Sequence, residues 1–88
     1  MGMYSLQGIG KCYESKGNFE EALKAYKRAI EEYPKNFYVG NIILDEGRCY
    51  TKMGRTSDAV QSYEKIIASD TDTVWSREAK LRLNLLKG

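Results

Sequence analysis

The side chains best equipped for chemistry here are two cysteines, Cys12 and Cys49, and a scatter of carboxylates and cations among which there is no histidine. Two thiols admit three uses: a disulfide, a metal site or burial. A zinc site wants four ligands, usually at CxxC or histidine-pair spacing, and neither occurs. Without histidine there is no imidazole base or relay, and Gly8-Ile9-Gly10 is only a fragment of a phosphate loop that follows no strand. These residues point away from catalysis and from any metal or cofactor. Among the cations an arginine can grip a carboxylate with two parallel donors, where a lysine acts as a point charge. Arg77, Lys80, Arg82 and Lys87 against Glu78 give +3 over residues 73–88. A nucleic-acid surface would interleave such a stripe with stacking rings, and only Trp75 is there, so the stripe reads as a solvated helix face and no nucleic-acid partner is expected.

A repeat positions these groups. Sliding residues 6–34 onto 43–71, a shift of 37, aligns Gly10 with Gly47, Cys12 with Cys49, Tyr13 with Tyr50, Gly17 with Gly54, Ala22 with Ala59, Tyr26 with Tyr63 and Ile30 with Ile67. Seven of 29 positions are identical, where average composition gives about two. Lys11 and Arg48 are equivalent as well. A third copy has room only for its first helix. Equivalent cysteines on stacked helices would have Cα atoms about 8–10 Å apart, beyond the roughly 7 Å a disulfide allows, so both are expected as buried thiols.

Within each copy the apolar period is helical. Ala22, Leu23, Tyr26, Ala29, Ile30 and Tyr33 recur at steps of three and four, and Ala59, Val60, Tyr63, Ile66 and Ile67 repeat the pattern. Asn18 with Glu21 reads as a capping box, Gly17 and Gly54 as left-handed helix ends, and Pro34 as a stop. Asn36, then Asp72 or Thr73, are candidate caps for the third and fifth helices. The predicted helices span about 3–16, 19–33, 37–53, 56–69 and 74–87. Gly10 and Gly47, mid-helix, each forfeit about 1 kcal/mol relative to alanine, which predicts close approach of a partner helix at Ala22 or Ala59.

The chain has 88 residues, a net charge of +2 shared equally between its halves, 42% apolar residues and one proline, which describes one small ordered helical domain and excludes a disordered linker. No apolar run approaches the roughly 18–20 residues of a membrane span, and residues 1–10 lack a basic start followed by an apolar block. Met1, Gly2 and Met3 read as an added start.

Gly10, Tyr13, Gly17, Ala22, Tyr26, Ala29 and Pro34, with Leu6 and Ile9 ahead of them, resemble the tetratricopeptide repeat signature. The second copy keeps Gly47, Tyr50, Gly54, Ala59 and Tyr63, with Glu46 at a usually apolar place; Glu46 is expected to reach the edge or pair with a cation. The third keeps Ala79, Leu81 and Leu83 but has Asn84 for the glycine. The resemblance implies an all-α, right-handed superhelix of about two and a half repeats: one domain over 1–88, with repeat one at 3–36, repeat two at 37–73 and a capping helix at 74–88. The family's usual period is 34, so 37 implies about one extra helical turn around residues 34–39. The run Tyr33-Pro34-Lys35-Asn36 is similar to repeats of bacterial cell-envelope proteins, which sets an envelope parent beside a cytoplasmic location as the alternative.

The family's groove positions fall on the first helices, at Tyr4, Gln7, Lys11, Glu14, Asn41, Leu44, Asp45, Arg48, Glu78, Leu81, Arg82 and Leu85. The implied function is a non-catalytic adaptor holding a peptide of another protein, with Lys11 and Arg48 pairing its acidic groups over Leu44 and Leu81. The alternative is a module that assembles through exposed end helices as a homo-oligomer, or a piece of a longer scaffold. Tyr13, Tyr26, Tyr50 and Tyr63 are expected between helices with hydroxyls at the rim. Tyr4, Phe37, Tyr38 and Trp75 lie off the pattern and are free for contact with a partner, Trp75 equally for capping the preceding helix.

Overall fold

Five amphipathic segments fold into five helices. A computed structural model describes residues 1–69 and 73–87 and places α1 at Met3–Ser15, α2 at Phe19–Glu32, α3 at Val39–Lys52, α4 at Thr56–Ser69 and α5 at Val74–Lys87. Every boundary lies within two residues of the sequence expectation. α1 packs on α2 and α3 on α4, α2 meets α3 across the repeat boundary, and α5 lies against α4 and the side of α3. The outcome is an all-α solenoid of about two and a half helix pairs, 33 × 28 × 16 Å between Cα extremes.

The second helix shows why the pattern folds this way. Ala22, Leu23, Tyr26 and Ala29 are buried, each large side chain contributing about 2 kcal/mol. On the opposite face Lys24 pairs with Glu21 at 3.0 Å and Arg28 with Glu32 at 2.7 Å. Met3, read from sequence as part of an added start, is instead 5% exposed and belongs to the core beside Leu6.

Both first helices end alike. Gly17 and Gly54 take φ of +79° and +77°. The following N–H groups, of Asn18 and Arg55, donate to the carbonyls of Tyr13 and Tyr50 at 2.9 Å, completing a Schellman closure. This corrects the expected capping box. The Asn18 N–H is already committed to Tyr13, so Glu21 has no donor to reach back to and binds Lys24; the Asn18 side chain makes no cap bond. At α5 the box does form, with Thr73 Oγ1 accepting from the Ser76 N–H at 3.1 Å and the Thr73 N–H donating to Ser76 Oγ at 3.0 Å. Asp72, the other candidate cap, lies outside the described residues.

The longer period does not add a helical turn. Residues 33–39 form tandem turns, with the Asn36 N–H on the Tyr33 carbonyl at 3.2 Å and the Val39 N–H on the Asn36 carbonyl at 3.0 Å. Asn36 Oδ1 accepts from the Tyr38 N–H at 2.8 Å. Asn36 thus caps a turn, and α3 starts at Val39 rather than near 37.

Gly10 and Gly47 are required by rings, not by the alanines expected from sequence. A Cβ on Gly10 would lie 2.7 Å from Tyr26 Cδ1, and one on Gly47 2.6 Å from Tyr63 Cε1. Ala22 and Ala59 are fully buried, but the tyrosines occupy the space that each glycine leaves. The same device recurs once more, with Trp75 of α5 against Gly40 of α3.

Gly47→Leu should therefore unfold the chain. Gly47→Ala should lower the calorimetric midpoint by roughly 5–15 °C, since overpacking by about 1–3 kcal/mol outweighs the helix-propensity gain. Gly8→Ala, whose new methyl meets nothing within 4 Å, should raise the midpoint by a few degrees. Shifts of the same sign in the two alanine variants would contradict the ring contact.

Candidate functional site

The 37-residue offset sets the groove positions of the three first helices in columns: Tyr4, Asn41 and Glu78; Gln7, Leu44 and Leu81; Lys11, Arg48 and Leu85. The structure divides these residues into a buried polar seam and an exposed remainder.

The seam lies between α1 and α3. Gln7 Nε2 donates to Asn41 Oδ1 and to Asp45 Oδ2, both at 2.8 Å. Arg48 Nε and Nη2 donate to the two oxygens of Glu14 at 2.7 and 2.9 Å, and Nη2 also donates to Asp45 Oδ1 at 2.8 Å. Glu14 accepts two further bonds, from Tyr26 Oη at 2.8 Å and Lys52 Nζ at 3.0 Å. Burial disfavours the Glu14 carboxylate, but the bonds from Arg48, Tyr26 and Lys52 outweigh it and hold its pKa down at about 2. The same environment raises Tyr26, first by burial and then by its bond to Glu14, so its hydroxyl stays protonated.

Several sequence expectations change here. Gln7, Glu14 and Asp45 are only 6%, 8% and 3% exposed, so they join two repeats instead of lining an open groove. The fork of Arg48, expected to grip a ligand carboxylate, grips Glu14. The reason is geometric: stacking of α1 on α3 brings a carboxylate of one repeat under the guanidinium of the next. The Tyr26 hydroxyl is likewise inside, on Glu14, rather than at the rim. Lys52 was not anticipated; its signal in the sequence was its place one turn after Arg48.

The exposed remainder is Tyr4, Lys11, Leu81 and Leu85, with Asn41, Leu44, Glu78 and Arg82 half-buried. Glu78 and Arg82 pair with each other at 2.8 Å. Glu46 takes the pairing expected of it, accepting from Lys27 Nζ at 2.9 Å and Ser62 Oγ at 3.3 Å. At the leading ends of the first helices Tyr4, Tyr38, Trp75 and Phe37 form a ring cluster, with centroids 5.1 Å apart for Tyr4 and Tyr38 and 5.8 Å for Tyr38 and Trp75. Trp75 packs on the start of α3, against Tyr38 and over Gly40. Tyr38 and Trp75 are 37 apart, so the repeat period carried a signal for this pairing that a strict motif match passes over.

The cysteines separate. Cys49 is buried and burial, followed by the Glu14 charge, pushes its thiol up to about 12, whereas Cys12, expected to be buried, is exposed. Cys49 lies under repeat one, whereas among the described residues no helix covers Cys12. Among the described residues no cluster of three or more cysteine, aspartate and glutamate side chains is placed to hold a metal, and no helix is long and apolar enough to cross a membrane.

A thiol reagent should modify one cysteine in the native chain and both in denaturant; two fast native thiols would contradict the buried position of Cys49. The Glu14 pKa lies below its unfolded value of 4.5, so its stabilisation is complete above about pH 5 and is lost as pH falls toward 2, by up to about 1.4 kcal/mol per pH unit. Urea titrations of Glu14→Gln should be flatter than those of the parent across that window and lower at neutral pH by roughly 2–3 kcal/mol. Parallel pH profiles would refute the assignment.

Comparison with known families follows the same architecture. Two family models, each described as a tetratricopeptide repeat, match residues 4–36 and 47–73. No curated protein sequence matches the chain. With both repeats matched over most of the length, and the signature glycines, tyrosines and alanines packed as described above, this chain belongs to the tetratricopeptide repeat family.

Proposed function

We propose that the chain is a non-catalytic adaptor that holds a peptide segment of another protein along the first helices of its repeats, the whole of 1–88 acting as one unit of repeat one (3–36), repeat two (37–73) and a capping helix (74–88). Tetratricopeptide repeats are in general protein–protein interaction modules, and their stacked helix pairs present an extended concave surface. The observation that supports the groove here is the exposure of large apolar side chains at its positions: Tyr4 is 62%, Leu81 57% and Leu85 74% exposed. Lys11, at another groove position, is exposed and forms no ion pair among the described residues. Exposed apolar side chains and an available cation suit a segment that carries both apolar and acidic residues.

The seam dictates how this is tested. Arg48→Ala would leave Glu14 and Asp45 buried without their donor, at a cost of about 3 kcal/mol or more, so loss of binding in that variant would report unfolding. The informative variant is Lys11→Ala, Leu81→Ser, Leu85→Ser, which alters exposed side chains only. Panning the chain against a random and proteome-derived peptide library should enrich an acidic and apolar motif that this variant loses while keeping its melting midpoint. Absence of enrichment from folded protein, or a motif the variant still binds, would overturn the groove reading.

A further inference from the structure

The two repeats diverge where repeat one buries its carboxylate. There the Tyr26 ring fills the space left by Gly10, and its hydroxyl donates to Glu14 at 2.8 Å. Repeat two keeps the ring and the glycine: a Cβ on Gly47 would lie 2.6 Å from Tyr63 Cε1 and 2.8 Å from Cζ. It does not keep the carboxylate. The residue 37 after Glu14 is Thr51, whose hydroxyl turns back to the Gly47 carbonyl at 3.0 Å. Tyr63 is only 1% exposed, yet its hydroxyl bonds nothing among the described residues.

That hydroxyl opens outward. Among the described residues no side-chain oxygen shut off from solvent lacks a partner, and Tyr63 lines a cavity of about 120 Å³ with Thr51, Arg82, Leu85 and Leu86. Arg82 and Leu85 are groove positions of α5, and Leu85 is 74% exposed, so the cavity faces the groove. Arg82 bonds Glu78 through Nε at 2.8 Å, which leaves its Nη donors without a hydrogen bond among the described residues. A buried hydroxyl and a guanidinium are thus brought to one small cavity, as Tyr26 and Arg48 are brought to Glu14. Its leucines suit a carboxylate carried in on methylenes, as a glutamate side chain carries it. The open side lets that carboxylate keep water where repeat one supplies further donors.

We propose that this cavity is the subsite for an acidic side chain of a bound segment: a glutamate or aspartate of the partner takes the place that Glu14 holds in repeat one, accepting from Tyr63 Oη and pairing with Arg82. The proposal rests on the groove reading and adds to it a seat for the carboxylate, on α3, α4 and α5 rather than at Lys11.

N-acetylglutamate α-methylamide, a probe with one side-chain carboxylate, tests the cavity separately from the peptide panning because it is a single residue. Titrated to millimolar concentration, it should move the methyl NMR signals of Leu85 and Leu86 saturably, and its glutamine counterpart should not. Tyr63→Phe removes a hydroxyl that bonds nothing in the described chain. It should keep the melting midpoint and weaken the probe about tenfold, the share of a hydrogen bond to a charged group. Thr51→Glu should fill the cavity from within. It should melt above Thr51→Gln, whose side chain has the same shape without the charge, and its Leu85 and Leu86 signals should ignore the probe. No saturable movement in the parent, equal binding of the glutamine probe, or parent-like binding by Tyr63→Phe would overturn the proposal. So would a Thr51→Glu chain that melts below Thr51→Gln, or tighter binding of N-acetylalanine, whose carboxylate is that of a chain end.

Discussion

One carboxylate ties the molecule together. Glu14 projects from α1 into a site walled by α2 and α3, where it is 8% exposed and accepts hydrogen bonds from Tyr26, Arg48 and Lys52. A charge removed from water to that extent must be met by donors from every side, and these come from both neighbouring helices. The bond from Tyr26 orients α2 on α1, while those from Arg48 and Lys52 set the second repeat on the first. The Tyr26 ring reaches Glu14 because Gly10 leaves space for it to pass. Apolar contact alone would tolerate neighbouring rotations of one helix pair on the next; directional, charge-assisted bonds do not.

That constraint divides the surface. Gln7, Glu14, Asp45 and much of Arg48, read from sequence as groove positions, are consumed in holding repeats together, and of the other groove positions Tyr4, Lys11, Leu81 and Leu85 are exposed. Equivalent positions thereby acquire different tasks. Lys11 is free of ion pairs among the described residues, whereas its counterpart Arg48 is locked in the seam; Cys12 is exposed, whereas Cys49 is not. The period establishes the architecture, and departures from it distinguish one face from another.

Much of the fold was legible in the sequence because its determinants are local. Helical period, the two left-handed glycines and the proline are each read from a few adjacent residues, and the helices came out within two residues of expectation. The errors arose where a local signal met a non-local competitor. Asn18 is a good cap by type, but its N–H belongs to the closure of the preceding helix. Gly10 announced a close approach without saying that a ring from Tyr26 would fill it. The seam was least legible, since nothing in the sequence ranks Glu14 above other carboxylates until α3 is stacked on α1. Cys12 was misjudged because burial depends on what lies over the helix, not on the residue. The families matched by the chain fix its architecture and its general role in protein interaction, and an architecture by itself does not name the partner.

A double-mutant cycle on Glu14→Gln and Arg48→Met, read by urea unfolding at neutral pH, measures most directly whether the seam holds the repeats together. If Glu14 and Arg48 stabilise the stack through each other, the double variant should be less damaged than the sum of the singles, with a coupling of about 2 kcal/mol. Additivity within about 0.5 kcal/mol would contradict it, and would return Arg48 to the groove as a side chain available to a ligand.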